Sequence, residues 1–156
     1  MTFDESLDIR LARIIKAPRS VVWTAWAEPE HFARWWTPAP VVTIVDKFDL
    51  RPGGAFDTTI KLEDGTEFGG QGCFLDVVAR ERIVFTDALR EDWRPNKETF
   101  FSAIITMEDH PDGTLYTAVA LHNGEADRKK HVDMGFETGW GTAIDQLARL
   151  AEELAA

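Results

Sequence analysis

Residues 136–154 read FETGWGTAIDQLARLAEEL. Within them Phe136, Trp140, Ala143, Ile144, Leu147, Leu150, Ala151 and Leu154 return every three or four residues, one apolar stripe along about five helical turns. A helix striped on one side buries that stripe against another element, and the surface on offer here is a sheet. Gly135, Gly139 and Gly141 crowd the start of the stripe. Each glycine costs about 1 kcal/mol against alanine inside a helix, so the cluster predicts close backbone approach or room left for something else, and at Gly139 the expectation is pressure on the sheet or on short helices.

Upstream the apolar period drops to two. Leu7, Ile9, Leu11 and Ile15 alternate with Asp8, Arg10 and Ala12, as in a half-buried strand. Pro18 and Pro29 each open a short helix, where a missing amide costs nothing. Phe32, Trp35 and Trp36 ride on the second helix until Pro38 and Pro40 end it. Val42, Ile44, Phe48 and Leu50 are predicted to share one face of the next strand, and Phe56, Thr58, Ile60 and Leu62 the inward row of its neighbour. Asp64-Gly65 marks a hairpin, and Gly69, Gly70 and Gly72 mark residues 66–78 as a bulged or bent strand. Ile83–Thr86, Thr99–Met107 and Thr114–His122 complete the set, the last two joined through Pro111-Asp-Gly113. The expected class is α+β: a curved antiparallel sheet of about seven strands, two short helices after strand 1, and a long C-terminal helix closing over the sheet.

One domain over residues 1–156 accounts for the chain, which is long enough to bury roughly 70% of its unfolded surface. The net charge is −10, from 17 basic and 27 acidic side chains. That balance repels phosphate backbones and anionic lipid, so no nucleic acid partner is expected. No stretch approaches the ~20 apolar residues of a membrane helix, so no membrane insertion is expected either. The N-terminus has neither a basic nor an apolar leader segment, which predicts a cytoplasmic protein. Cys73 is alone, and His31, His110, His122 and His131 are scattered, so neither a metal nor a cofactor is expected. A homodimer is left open.

The run Lys16-Ala-Pro-Arg-Ser-Val-Val-Trp23, followed by Ala25-Trp26, Pro29-Glu30 and Arg34-Trp-Trp36 before Pro38, resembles the opening of the Hsp90 ATPase activator-homologue domains. Asp49-Leu-Arg-Pro-Gly-Gly54, Asp64-Gly65, Gly72-Cys-Phe-Leu75, Glu81-Arg-Ile-Val-Phe-Thr86 and Gly139-Trp140 with Leu147 continue it, from Leu7 to Leu154. The resemblance implies the helix-grip fold of the superfamily that includes START-type lipid-transfer, birch-pollen-allergen and polyketide-cyclase proteins. Members of that superfamily hold an apolar ligand between sheet and C-terminal helix. The eukaryotic co-chaperones of the family add an N-terminal domain not found in this sequence, so a chaperone-activating role is not expected.

Six tryptophans beside ten phenylalanines are more aromatic bulk than one core is expected to absorb. Trp35 and Trp36 project about 100° apart on a helix and are expected in different surroundings. Trp93 lies in a polar loop and reads as a lid. The sequence predicts a cavity lined by Trp36, Phe56, Phe68, Trp93, Phe101, Met134, Phe136 and Trp140, holding a small apolar molecule. Neither Gly-x-Ser-x-Gly nor His-Glu-x-x-His occurs, so no catalytic residue is assigned. His122 and His131 are candidates for a general acid or base at the cavity mouth, with Glu98, Glu125 and Glu137 behind them. His110 is expected in solvent, Cys73 as a buried small hydrophobe, and Arg51 bonding turn carbonyls. Three readings follow: a small-molecule binding protein, a cyclase- or hydrolase-type enzyme in the same cavity, and a chaperone accessory working through its surface.

Overall fold

The alternating segments pair into a seven-stranded antiparallel sheet in the computed structural model, which describes residues 2–156. The strands are β1 (Asp8–Ile15), β2 (Val42–Phe48), β3 (Ala55–Lys61), β4 (Glu67–Val78) and β5 (Arg82–Thr86), then a two-residue ladder of β6 (Leu89–Arg90) with β7 (Arg94–Pro95), then β8 (Ser102–His110) and β9 (Gly113–Leu121). The spatial order in the main sheet is β1-β9-β8-β5-β4-β3-β2. Helices α1 (Arg19–Ala27) and α2 (Pro29–Phe32) follow β1, and α3 (Glu125–Asp133) and α4 (Phe136–Ala155) close the chain.

Three local features depart from the periodic reading. In β2 the register shifts between Val45 and Lys47, so one extra residue reverses the alternation. Thr43 and Val45 therefore face inward with Phe48, while Val42 and Ile44 are 51% and 39% exposed. Helix α2 stops at Phe32, and Trp35 and Trp36 lie in the turn after it. The long terminal helix expected over the stripe is α4, and α3 is a further helix that the stripe did not announce. Gly135 divides them at φ +89°, a left-handed conformation that a residue without Cβ adopts cheaply. Nothing lies within 4 Å of a Cβ placed on Gly139, and Gly141 meets the end of the Arg13 guanidinium at 3.3 Å. The close approach expected at Gly139 is thus overturned: the helix edge there faces open space.

Trp26 sits at the centre of the core, fully buried, with the rings of Phe32, Trp35, Phe56, Phe74 and Phe85 between 5.1 and 6.4 Å away. Its indole N–H donates to the Tyr116 hydroxyl at 2.9 Å, and the Trp35 N–H donates to the Ala25 carbonyl at 2.9 Å. Both buried indoles are therefore satisfied. Phe56 and Phe74, on adjacent strands, stack at 4.7 Å. Along α4, Phe136, Ile144, Leu147, Leu150 and Ala151 are buried, the helix packing on α1 and β1, and Leu154 at the far end is 38% exposed.

Candidate functional site

Strand β5 meets β4 from Cys73 onward, so the earlier part of β4 is paired on its β3 side alone. Beside that stretch lies an apolar groove of about 200 Å³. Trp36, Phe56, Phe85 and Phe101 form its walls, with Thr58 and Ile60 along β3 and Gly70 and Gly72 along β4. A Cβ on Gly70 would meet nothing within 4 Å, so the absent side chain leaves room.

Five of the eight predicted lining residues come together. Trp36, Phe56 and Phe101 border the groove. Trp140 backs it, 6.3 Å from Trp36 and 5.6 Å from Phe101 between ring centroids, and Phe136 stacks on Trp140 at 4.6 Å. Trp35 and Trp36, expected apart, have their rings 5.5 Å from each other; Trp35 is buried and Trp36 partly open. The other three lie elsewhere. Phe68 pairs with Ile60, at the tip of the β3–β4 hairpin, and is 57% exposed. Met134 caps α3 just before the stripe begins and is 66% exposed. Trp93, at φ +63°, covers the Arg51–Gly54 turn; its Nε1 is 2.7 Å from where a Gly53 Cβ would be. It is a cover for that turn and does not line the groove. Next to the groove, the aromatic cluster around Trp26 is packed into the core.

The two histidines meet each other. His122 Nδ1 lies 2.7 Å from the Leu7 carbonyl, which can only accept, so Nδ1 carries the proton. His122 Nε2 then accepts from His131 Nδ1 at 2.8 Å, leaving a lone pair on His131 Nε2. Burial pushes His131 down to about 4, and the neighbouring His122 adds to the effect. The rings of Phe100, Phe101 and Phe136 stand 4.7 to 4.9 Å from His131. Phe101 packs on this imidazole and also borders the groove, which neither histidine lines.

The remaining candidates take structural places. Glu98, Glu125 and Glu137 are exposed. His110 is partly exposed and accepts the Asp112 amide at 3.1 Å. Arg51 pairs with the Asp49 carboxylate at 2.6 Å, not with turn carbonyls. Cys73 is fully buried, and burial raises its thiol, which disfavours the reactive thiolate. Among the described residues no group of three or more His, Cys, Asp or Glu is placed to hold a metal ion. None of the helices described is long and apolar enough to cross a membrane. Sequence reading missed Gly70, Gly72 and Phe85 as groove residues, although glycines set opposite Thr58 and Phe56 were a usable signal.

A family model described as "Activator of Hsp90 ATPase homolog 1-like protein" matches residues 16–152. Among solved structures, a Nitrosomonas europaea protein is 39% identical, with 97% of each chain covered and a TM-score of 0.93. A Mycobacterium smegmatis protein is 26% identical over 94% of this chain and 91% of its own, with a TM-score of 0.80. An AHSA1-like protein from Aeromonas hydrophila, 22% identical over 95% and 94% of the two chains, shares the fold at a TM-score of 0.70. No curated protein matches this chain at a significant level.

Proposed function

Because the chain belongs to the activator of Hsp90 ATPase homolog 1-like family, a family of START-like ligand-binding domains, we propose that it binds a small apolar molecule, lipid-like or aromatic, in the groove beside β3, β4 and the start of α4. The groove itself carries this reading. Aromatic walls at Trp36, Phe56 and Phe101 face Gly70 in β4, where a side chain would otherwise fill the gap. At about 200 Å³ the groove is smaller than the roughly 300–1,000 Å³ of a site that encloses a drug-sized molecule. It suits one or two rings or a short acyl segment, with the rest of the ligand outside.

The test is a titration of fatty acids, flavonoids and polycyclic dyes followed by tryptophan emission. A saturable change is expected, and Trp140→Phe should remove part of it, since Trp140 packs behind the groove against Trp36 and Phe101. Gly70→Leu should fill the groove and abolish binding without lowering the melting temperature. Binding that survives Gly70→Leu, or no saturable binding across the panel, sinks the proposal. The lone pair left on His131 Nε2 is what a second reading would use, a cyclase- or hydrolase-type enzyme with that atom as base, but burial holds the imidazole at about 4, low for a base at neutral pH. Phe101 stands between that atom's ring and the groove, so a substrate would have to move it.

A further inference from the structure

The unpaired side of β4 also borders a second, polar cleft of about 1080 Å³. Leu62 N–H bonds to Thr66 O and Phe74 N–H to Gly54 O, which sets the alternation along the β3–β4 pair. Phe68, Gly70 and Gly72 therefore turn their amides and carbonyls toward β3, and Glu67, Gly69 and Gln71 turn theirs away. Of these outward groups, the Gln71 carbonyl accepts from Asn96 Nδ2 at 2.9 Å. No other backbone or side-chain partner meets the edge among the described residues. The face beside Gly69 is open as well: the nearest atom to a Cβ there would be Thr59 Oγ1 at 3.9 Å. The cleft carries Asp46, Asp57, Asp87, Glu98 and Asp127 against Lys97 and Lys130. Asp57 is 8% exposed, and its Oδ1 has no hydrogen-bond partner. Such a buried, unmatched acceptor is costly unless something arrives to satisfy it.

We propose that the β4 edge from Glu67 to Gln71 receives an extended peptide from another protein as an added strand, and that this peptide alternates basic and apolar residues. Strands lie about 4.8 Å apart, so the added backbone would be about 9.6 Å from β3. Its side chains beside Gly69 and Gln71 fall on the face of Asp57, which pairs with Gln71, and of Thr59, which pairs with Gly69. Thr59 holds Asp46 by a 2.6 Å hydrogen bond. With no side chain on Gly69, a lysine or arginine can stretch across it toward these carboxylates. The intervening peptide side chains fall on the other face, beside Phe68 and Gly70, where Ile60, Trp36 and Phe101 line the apolar groove. Gly70 and Gln71 border both spaces, so this one edge divides an apolar face from an acidic one. Main-chain bonds would give affinity and the two faces specificity. A second copy of a chain with net charge −10 is a poor occupant. This proposal stands whether or not the groove takes a small molecule.

The probe is a fluorescent, acetylated Lys-Val-Lys-Val-Lys-Val-Lys amide, read by anisotropy against the full chain. Saturable binding that weakens with added salt is expected. Replacing the lysines by glutamates, or N-methylating the amides that face the edge, should weaken binding by at least about tenfold. Asp57→Asn should weaken it several-fold. Gly69→Pro should abolish it, since proline removes one outward amide and leaves the bonds to β3 in place. A readout that needs no variant is hydrogen exchange: the Glu67 and Gly69 amides should gain protection when the lysine peptide is added. Equal affinity for the glutamate or N-methylated peptides overturns the proposal. So does unchanged exchange at Glu67 and Gly69, or self-association of the chain through this edge.

Discussion

The Tyr116 hydroxyl, fully buried on β9, has the Trp26 indole N–H as its partner at 2.9 Å. Burial pushes the phenol up, so it stays neutral, and the bond ties α1 to β9 through the core. Tyr116→Phe keeps the ring and strands a buried donor. The expected loss is about 1–3 kcal/mol, the cost of leaving such a group unmatched, and urea unfolding would measure it. Gly139 makes the opposite case. Its position has a helical backbone and empty space where a side chain would go. Gly139→Ala should therefore raise stability by about 0.5–1 kcal/mol through propensity. A fall in melting temperature would show that the helix edge is crowded after all.

At the scale of single elements, β2 decides which sequence signals can be trusted. Its shift at Asp46 sends Ile44 outward and Val45 inward. Ile44→Lys should cost no more than about 0.5 kcal/mol, whereas Val45→Lys, which sets a charge against the core, should cost about 2 kcal/mol. Equal melting points for the two variants would contradict the register. Period-two and three-to-four-residue patterns made the main strands and α4 legible because each buries one continuous face. A one-residue bulge leaves composition unchanged and reverses parity, so Val42 and Ile44 were misplaced. Helix α3 was missed for a related reason. Glu125-Ala-Asp-Arg-Lys-Lys-His-Val-Asp133 is polar nearly all round, so it has no stripe to detect. Strand β8 begins at Ser102, later than its alternation suggested, because the Asp87 carboxylate accepts the Phe100 and Phe101 amides and the Thr99 hydroxyl. At the site, Trp36, Phe56, Phe101, Phe136 and Trp140 were brought together because apolar rings converge, the first three along the groove and the last two behind it. Phe68, Trp93 and Met134 were not, because exposure at a hairpin tip, a strained turn and a helix junction depends on chain geometry that periodicity does not encode.

Across the whole molecule, the histidine pair ties the N-terminal segment to a stretch more than a hundred residues later in the chain. Leu7 precedes β1, His122 follows β9 and His131 lies in α3, and one line of hydrogen bonds connects them. His131 is 6% exposed among aromatic rings, and Lys130 lies beside it in sequence, its ammonium over the Phe100 ring at 5.2 Å. A proton on His131 would meet an imidazole and a nearby cation, with little water. Burial and His122 hold its folded value at about 4, against 6.5 in the unfolded chain. The unfolded state thus binds the extra proton first as pH falls. The neutral pair's stability is complete above pH 6.5, declines as pH drops toward 4, and levels off below. On this account the native state loses on the order of 3 kcal/mol across that window. His131→Asn should flatten the curve, because the Asn amide can still donate to His122 Nε2 and does not titrate. Thermal melts of both proteins from pH 7.5 down to 4 provide the comparison. Parallel curves would mean that other groups govern the acid response and that the pair does not hold α3 to the sheet.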